Sequence, residues 1–265
     1  MEVYTMTKQR LKVRKRNRRK IKQRMRLIIT IIVLCLGITA VRALSSGFTI
    51  LQAMGSNLSM ITEKGDYPEE LLEMLSRNPE MREFVLDYPD KKGKVYADTI
   101  GEVTKGEFPL LLQWDHRWGY GAYGNSLIAV SGCGPTALAS VIAGLTGENT
   151  VTPYTIAKFA EEQGYCVEGV GTSWELFTSG IRSFGIAGTE MSLSKDTVFE
   201  ALQNGQPIIC SMRPGDFTTT GHFITLVGIE DGKIKVNDSN SKKNSKTLWE
   251  YETLEPQIKN LWVFQ

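Results

Sequence analysis

Residues 131–136 read Ser-Gly-Cys-Gly-Pro-Thr and lead directly into an apolar run that extends to Leu145. The run contains small and aliphatic residues on every side, which is typical of a helix buried all round. Pro135 suits the first helical position, where the missing N–H of proline costs nothing. This stretch therefore predicts a buried helix with Cys133 at its N-terminus.

The position of Cys133 leaves two interpretations open. The positive end of a helix macrodipole favours an anion and can lower a thiol pKa from about 8.5 to roughly 3.5–7.5. The flanking Gly132 and Gly134 allow a second molecule to approach the backbone closely. Free cysteines are also among the residues most often buried in cores. The stretch alone fits a reactive thiol and a small core residue at a tight turn equally well.

The charge of the chain is concentrated at one end. The 265 residues carry a net charge of +2. Residues 1–26 contain twelve Lys or Arg and one acid, Glu2, whereas the rest of the chain carries 19 basic and 28 acidic side chains. A basic tail of this kind binds nucleic acid or anionic lipid. The apolar segment that follows favours the membrane, so we predict no nucleic-acid partner.

Residues 27–44 are apolar except for Arg42. A spanning helix needs about 20 residues, and an arginine near the end can extend its head to the interface. A cleaved signal peptide is the alternative, because residues 41–43 have small residues spaced for cleavage after Ala43. The long basic arm favours an uncleaved single-pass anchor. By the positive-inside rule, the N-terminus is then cytoplasmic and the chain from about residue 45 is extracytoplasmic.

The remaining chain is organised into a spacer and a main domain. We expect a basic cytoplasmic tail at 1–26, a transmembrane anchor at 27–44, a stalk with short helices at 45–107 and the main domain at 108–265. Helical patterns in the main domain begin near residues 133, 152, 171 and 194, and strand patterns dominate after residue 207. Helices followed by antiparallel strands predict an α+β domain.

The chain has two histidines, His116 and His222. A cysteine nucleophile needs a nearby base, for which histidine is best suited, and the base needs a third group to orient it. The Asp231-Gly232 pair predicts a hairpin turn, so His222 and Asp238 are expected at the same end of one hairpin. The Asp238 carboxylate can then hold the imidazole, although Asp238 also fits a simple turn-forming residue.

Of the four cysteines, Cys35 lies in the apolar segment, and Cys166 and Cys210 are most simply core residues. No CxxC pair or His/Cys cluster has the spacing of zinc ligands. We therefore predict no metal site and no cofactor.

Four short motifs stand out in the main domain: Gln-Trp-Asp-x-Arg-Trp at 113–118, Gly-Cys-Gly-Pro-Thr at 132–136, Gly-His-Phe-Ile at 221–224 and Asn-Asp-Ser at 237–239. With these motifs, residues 108–265 resemble the C39-like family of papain-fold cysteine peptidases. The resemblance implies a papain-like fold in which a helix bearing the cysteine packs on an antiparallel β-sheet.

The resemblance also implies roles for four residues. Cys133 would be the nucleophile, His222 the general acid and base, and Asp238 the orienting acid. The Gln113 side-chain amide would be an oxyanion-hole donor beside the Cys133 N–H, although Gln113 also fits a plain polar surface position. His116 is interpreted as partly exposed and non-catalytic.

The combined interpretation is a membrane-anchored, extracytoplasmic cysteine peptidase that acts on a peptide or protein substrate. Two alternatives stay open at this point. One is a transpeptidase or amidase that uses the same triad for acyl transfer, and the other is a non-catalytic cell-surface binding module. The sequence indicates neither the substrate nor the oligomeric state.

Overall fold

The structure of the protein is a computed structural model that describes residues 67–169 and 171–265. The predicted basic tail and the predicted transmembrane anchor at 27–44 lie outside the described residues. Within the described ranges, no helix is both long and apolar enough to cross a bilayer.

An antiparallel sheet of six strands forms the centre of the described region, with the strand order β5-β10-β6-β7-β8-β9. Its strands are β5 (Gly188–Glu190), β6 (Ile208–Met212), β7 (His222–Glu230), β8 (Lys233–Asp238), β9 (Leu248–Trp249) and β10 (Ile258–Phe264). Two small two-stranded ribbons lie outside it: β1 (Ala122–Tyr123) with β2 (Ser126–Leu127), and β3 (Cys166–Val167) with β4 (Gly171–Thr172). The predicted α+β class is confirmed.

Eight α-helices are found within the described residues: α1 (Glu69–Arg77), α2 (Arg82–Lys91), α3 (Ile128–Ser131), α4 (Cys133–Thr146), α5 (Pro153–Glu162), α6 (Lys195–Gln203), α7 (Lys242–Lys246) and α8 (Tyr251–Leu254). Local sequence determines several helix starts. Thr152 and Ser194 cap α5 and α6, because each side-chain oxygen accepts the backbone N–H three residues further on.

The helix α4 packs on one face of the sheet. Every residue from Gly134 to Gly144 is buried, and the core around α4 includes Ile209, Phe223 and Trp262 from three strands. Side chains at alternate strand positions enter a second core on the other face, with α6 and α8. The sheet therefore separates two apolar layers, and α4 carries Cys133 to the edge of one of them.

The start of α4 differs from the prediction. The helix begins at Cys133 itself, so Pro135 is its third residue rather than its first. Only the first few N–H groups of a helix lack an intrahelical acceptor, and the third position is still among them. Gly147 ends the helix in the left-handed conformation, with φ of 81°.

The hairpin β7–β8 turns at Asp231 and Gly232, with φ values of 51° and 74°. The register shifts once, between Leu226 and Gly228, so that Ile224 rather than Thr225 pairs with Asp238. Such a bulge adds one unpaired residue to one strand and changes which side chains share a face beyond it. It brings Asp238 onto the face that carries His222.

The helix predicted to begin near residue 171 is present as two short 3-10 helices, the first capped by Ser173. Gly171 and Thr172 form β4, and two 3-10 helices follow at Trp174–Phe177 and Gly180–Phe184. Thr178 and Gly180 have low helix propensity, and short 3-10 turns are the common result where an α-helix cannot continue.

The helices α1 and α2, with the 3-10 turn Pro79–Met81 between them, pack into the same compact unit as the sheet. Leu71, Met81 and Val85 are fully buried. The Phe84 ring stacks on Tyr120 with 4.1 Å between ring centroids, and the Tyr120 hydroxyl donates to the Phe84 carbonyl at 3.0 Å. This helical segment is therefore a part of the core.

Candidate active site

Cys133 is half-buried at the first position of α4. It lines the same cleft as His222, and the His222 side chain and the backbone N–H groups of Phe223 and Gly134 lower the pKa of its thiol. Gly134 has no room for a side chain, because a Cβ there would lie 2.6 Å from the Thr172 hydroxyl oxygen. Packing against β4 therefore fixes the helix end that presents the sulfur.

His222 is the first residue of β7 and Asp238 is the last residue of β8. The His222 Nε2 atom lies 2.8 Å from Asp238 Oδ1, and both side chains are buried. Because Nε2 is engaged with the carboxylate, Nδ1 is the ring nitrogen left for the thiol. The structure thus brings together the three residues that the sequence analysis singled out as a triad.

The loop after Asp238 holds its carboxylate at both oxygens. The Asn240 backbone N–H donates to Oδ1 at 2.9 Å, and the Asn244 side-chain amide donates to Oδ2 at 2.8 Å. The Asp238 N–H in turn donates to the Ser245 hydroxyl at 2.9 Å. Together with His222, three donors bind the two oxygens, and they fix the orientation of the carboxylate.

The charges of Cys133 and His222 support each other. Burial by itself raises the pKa of the Cys133 thiol, but the hydrogen bond and positive charge of His222 outweigh burial and hold that pKa below its ordinary value. Burial by itself lowers the pKa of His222, but the charge and hydrogen bond of Asp238, with those of Cys133, raise it to about 10. A thiolate–imidazolium pair is therefore the favoured state near neutral pH.

Asp238 remains charged in the same site. Burial favours the neutral acid, yet the positive charge and hydrogen bond of His222 and the N–H groups of Asn240 and Asn244 lower the pKa of Asp238. Hydrogen bonds and opposite charges within the cluster thus offset the cost of burying the thiolate, the imidazolium and the carboxylate.

Gln113 is almost fully buried beside the cysteine helix, with 2% of its surface exposed. Its side-chain Nε2 donates to the Ala129 carbonyl at 2.7 Å and, more weakly, to the Val130 carbonyl at 3.3 Å. Its Oε1 accepts from the Ser239 hydroxyl at 3.0 Å. The interpretation of Gln113 as a surface residue is wrong. The Gln113 Nε2–H that makes the long contact to the Val130 carbonyl could instead donate to an oxyanion.

Ser239 also accepts the Gln113 backbone N–H through its carbonyl at 2.9 Å. One buried dipeptide, Asp238-Ser239, therefore contacts both the histidine and the glutamine. Sequence reasoning missed Ser239 and Asn244, although both lie within a few residues of Asp238 in a run of Asn and Ser. That composition predicted only a turn. In the structure, Ser239 and Asn244 also form hydrogen bonds to the side chains of Gln113 and Asp238.

A cleft with a volume of about 530 Å³ opens at Cys133 and His222. Its walls come from the 215–221 loop, from the loop and helix at 240–244, and from residues 74–80. Such a volume is in the range of sites that bind small molecules or a few residues of a peptide.

His116 lies in a separate cluster. Its Nδ1 atom is 3.0 Å from the Tyr120 hydroxyl and 3.5 Å from Asp87, and 42% of its side chain is exposed. The partly exposed position matches the sequence prediction. Nearby, Arg117 and Asp115 form an ion pair, with 2.8 Å between Nη2 and Oδ2.

The other described cysteines have the opposite electrostatic setting to Cys133. Burial raises the pKa of Cys166 and of Cys210, and no cation offsets the effect at Cys210. Within the described ranges, no group of three His, Cys, Asp or Glu side chains could hold a metal ion.

A cysteine at a helix start with an imidazole and a carboxylate behind it is the arrangement of enzymes that form an acyl-thioester. The profile of the Peptidase_C39 like family matches residues 105–263, which is more than half of the chain. The chain belongs to this family, and it is a cysteine peptidase.

Two solved structures resemble the chain. The peptidase domain of Streptococcus ComA, a bifunctional ABC transporter involved in quorum sensing, has 19% identity and a TM-score of 0.42, and the match covers 59% of this chain and 96% of that domain. A putative C39-like peptidase from Bacillus anthracis has 14% identity and a TM-score of 0.40, with 62% and 98% covered. No curated protein matches the chain.

Proposed function

We propose that the chain is a membrane-anchored, extracytoplasmic cysteine peptidase that hydrolyses peptide bonds with Cys133, His222, Asp238 and Gln113. The observation that carries the proposal is the buried 2.8 Å contact between His222 Nε2 and Asp238 Oδ1, at a cleft that His222, Asp238 and Cys133 all line. A decayed or purely structural site would not need all three groups in this order.

In the first half of the reaction, the Cys133 thiolate attacks the carbonyl carbon of the scissile peptide bond. The tetrahedral intermediate collapses when the His222 imidazolium gives its proton to the amine nitrogen, which leaves with the C-terminal fragment. The acyl group is then a thioester on Cys133. Asp238 stabilises the imidazolium and holds the ring in one orientation, which suits both the attack and the proton transfer.

In the second half, neutral His222 takes a proton from water, and the resulting hydroxide attacks the thioester carbonyl. Collapse of the second intermediate releases the carboxylic acid and restores the Cys133 thiolate and the His222 imidazolium. The oxyanion of each intermediate accepts from the Cys133 backbone N–H and from the Gln113 amide. Such donors act most strongly where water is excluded, as around the buried Gln113.

The location of the reaction is proposed from the sequence outside the described residues. The basic tail at 1–26 stays in the cytoplasm, residues 27–44 span the membrane, and the chain from about residue 45, with the peptidase domain, is extracytoplasmic. The charge difference across the apolar segment supports this orientation.

Activity and topology are tested with the full chain. A mixed peptide library is digested with the wild-type protein, with Cys133→Ala and with His222→Ala, and the products are identified by mass spectrometry. We expect cleavage by the wild type and none by either variant, while His116→Ala keeps full activity. Addition of a primary amine distinguishes hydrolysis from acyl transfer, because a transferase would give amide products.

A protease added to intact cells tests the orientation. We expect it to digest the folded body and to leave the basic tail protected. A body that is protected on intact cells would reverse the proposed topology.

A further inference from the structure

One wall of the cleft comes from a part of the chain that precedes the residues matched to the family. The wall consists of the end of α1 and the 3-10 turn after it, with Met74, Arg77, Asn78, Pro79 and Glu80 lining the cleft. The wall leaves the cleft open, since Cys133 remains half-buried with these residues in place.

Hydrogen bonds fasten this wall to the loop that carries Asp238. The Asn78 side-chain amide donates to the Asn240 carbonyl, and Glu80 Oε2 accepts the Lys242 backbone N–H at 2.8 Å. Asn78 also accepts the Glu80 N–H at 3.1 Å. The wall is thus held in place against the peptidase site and brings its own side chains to the substrate.

The acidic side chains of the cleft already have partners. Glu80 is bound by the Lys242 N–H, and Asp216 accepts from the Gln257 amide at 2.8 Å. Asp238 is paired with His222. The donors to Glu80 and Asp216 are neutral, so both carboxylates keep their charge, but one oxygen of each is occupied by a protein donor.

The two basic side chains of the cleft are less engaged. Arg77 has an ion pair only with Glu73, at 3.4 Å, and more than half of both side chains is exposed. Among the described residues, the Lys243 ammonium has no ion pair and no hydrogen bond. Lys243 lies in α7 and lines the same cleft as Arg77. Both cations therefore have N–H donors available to a ligand in the cleft.

We propose that Arg77 and Lys243 form a carboxylate-binding subsite, which selects substrates with an acidic side chain or a free C-terminal carboxylate near the scissile bond. The inference rests on the proposed peptidase function and adds the substrate class. Arg77 supplies a planar donor pair and Lys243 a point charge, and both suit a carboxylate.

The test uses the full chain and pairs of peptides derived from one sequence that the wild type cleaves in the mixed library. In one pair, Glu or Asp near the cleaved bond is replaced by Gln or Asn. In the other, the free C-terminal acid is replaced by the amide. The ratio of kcat/KM between acid and amide is measured for the wild type, for Arg77→Gln and for Lys243→Gln.

We expect the acid to be preferred, and we expect each substitution to lower the preference roughly two- to fivefold, which is the size of an exposed ion pair. The effect should appear in KM rather than in kcat, since the subsite lies away from the reacting atoms. Lys246→Gln and Lys92→Gln are controls. Lys246 lies in α7 like Lys243, and Lys92 follows α2; both are exposed cations that do not line the cleft, so they should leave the ratio unchanged.

The outcomes distinguish failure of the carboxylate subsite from failure of the proposed peptidase function. Sensitivity to the side-chain pair alone identifies an acidic residue as the ligand, and sensitivity to the terminal pair alone identifies a free C-terminus; both support the subsite. Equal kcat/KM for acid and amide overturns it, as does a preference that survives both substitutions. If no peptide is cleaved in a Cys133-dependent manner, the proposed function itself fails.

Discussion

His222 and Asp238 are hydrogen-bonded at 2.8 Å although they are not paired in the sheet, where Asp238 lies opposite Ile224. His222 and Ile224 share a face because side chains alternate along a strand. In a regular hairpin about the Asp231-Gly232 turn, Asp238 would lie opposite Thr225, on the other face. The bulge between Leu226 and Gly228 is therefore what directs the carboxylate to the imidazole.

The first prediction concerns the pH dependence of kcat/KM. The rate should rise as Cys133 ionises below its ordinary pKa, and it should fall as pH increases through about 10, where the His222 imidazolium loses its proton. Asp238→Asn removes the charge that raises the pKa of His222, so the alkaline limb should move to lower pH. An alkaline limb that stays in place in this variant would contradict the assigned role of Asp238.

Gln113 gives a prediction about the oxyanion. Gln113→Met keeps roughly the size of the side chain and adds no charge near the thiolate, but removes the N–H donors. We expect kcat to fall by roughly 10²–10³, while the rate of Cys133 alkylation stays near that of the wild type because the thiolate does not depend on Gln113. Normal turnover in a folded Gln113→Met variant would remove Gln113 from the mechanism.

Asn244 is predicted to position Asp238. Asn244→Leu removes the amide that binds Oδ2 at 2.8 Å. Loss of a residue that orients a functional group typically lowers activity about 10–100-fold. We expect a decrease of this size in kcat, with little change in KM. The matched control is Lys246→Ala in the same helix. A merely structural role would lower the melting temperature and leave the pH profile of the remaining activity unchanged.

Two glycines that flank the reacting residues should respond differently to alanine. A Cβ on Gly134 would meet the Thr172 side chain at 2.6–2.9 Å, whereas nothing lies within 4 Å of a Cβ on Gly221. Gly134→Ala should therefore lower the free energy of unfolding by about 1–3 kcal/mol and displace Cys133, whereas Gly221→Ala should be close to neutral. Chemical denaturation and kcat/KM measure the two effects. Equal stability of both variants would contradict the close contact.

Local signals predicted the parts of the fold that depend on near neighbours. The glycines around Cys133, the caps at Thr152 and Ser194 and the Asp231-Gly232 turn act within a few residues, and all of them appear in the structure. The hairpin brought His222 and Asp238 to the same end, as predicted.

Other features depend on contacts that no local pattern encodes. The bonds from Asn78 and Glu80 to the loop at 240–242 join residues 162 positions apart. The bulge at Val227 lies in a mostly apolar strand, whose sequence lacks the alternation that would fix its register. The catalytic roles of Cys133, His222, Asp238 and Gln113, like the anchor at 27–44, stay predictions until they are measured.

The helices α1 and α2 have a practical consequence for where the protein can be shortened. The family match begins at residue 105, yet Leu71, Met81 and Phe84 are buried in the same compact unit as the sheet. A fragment that began at the family boundary would leave the face of Tyr120 without its stacked ring and expose an apolar surface, which favours aggregation. The smallest recombinant fragment worth purifying therefore begins before Tyr67, well upstream of the motif-bearing sequence.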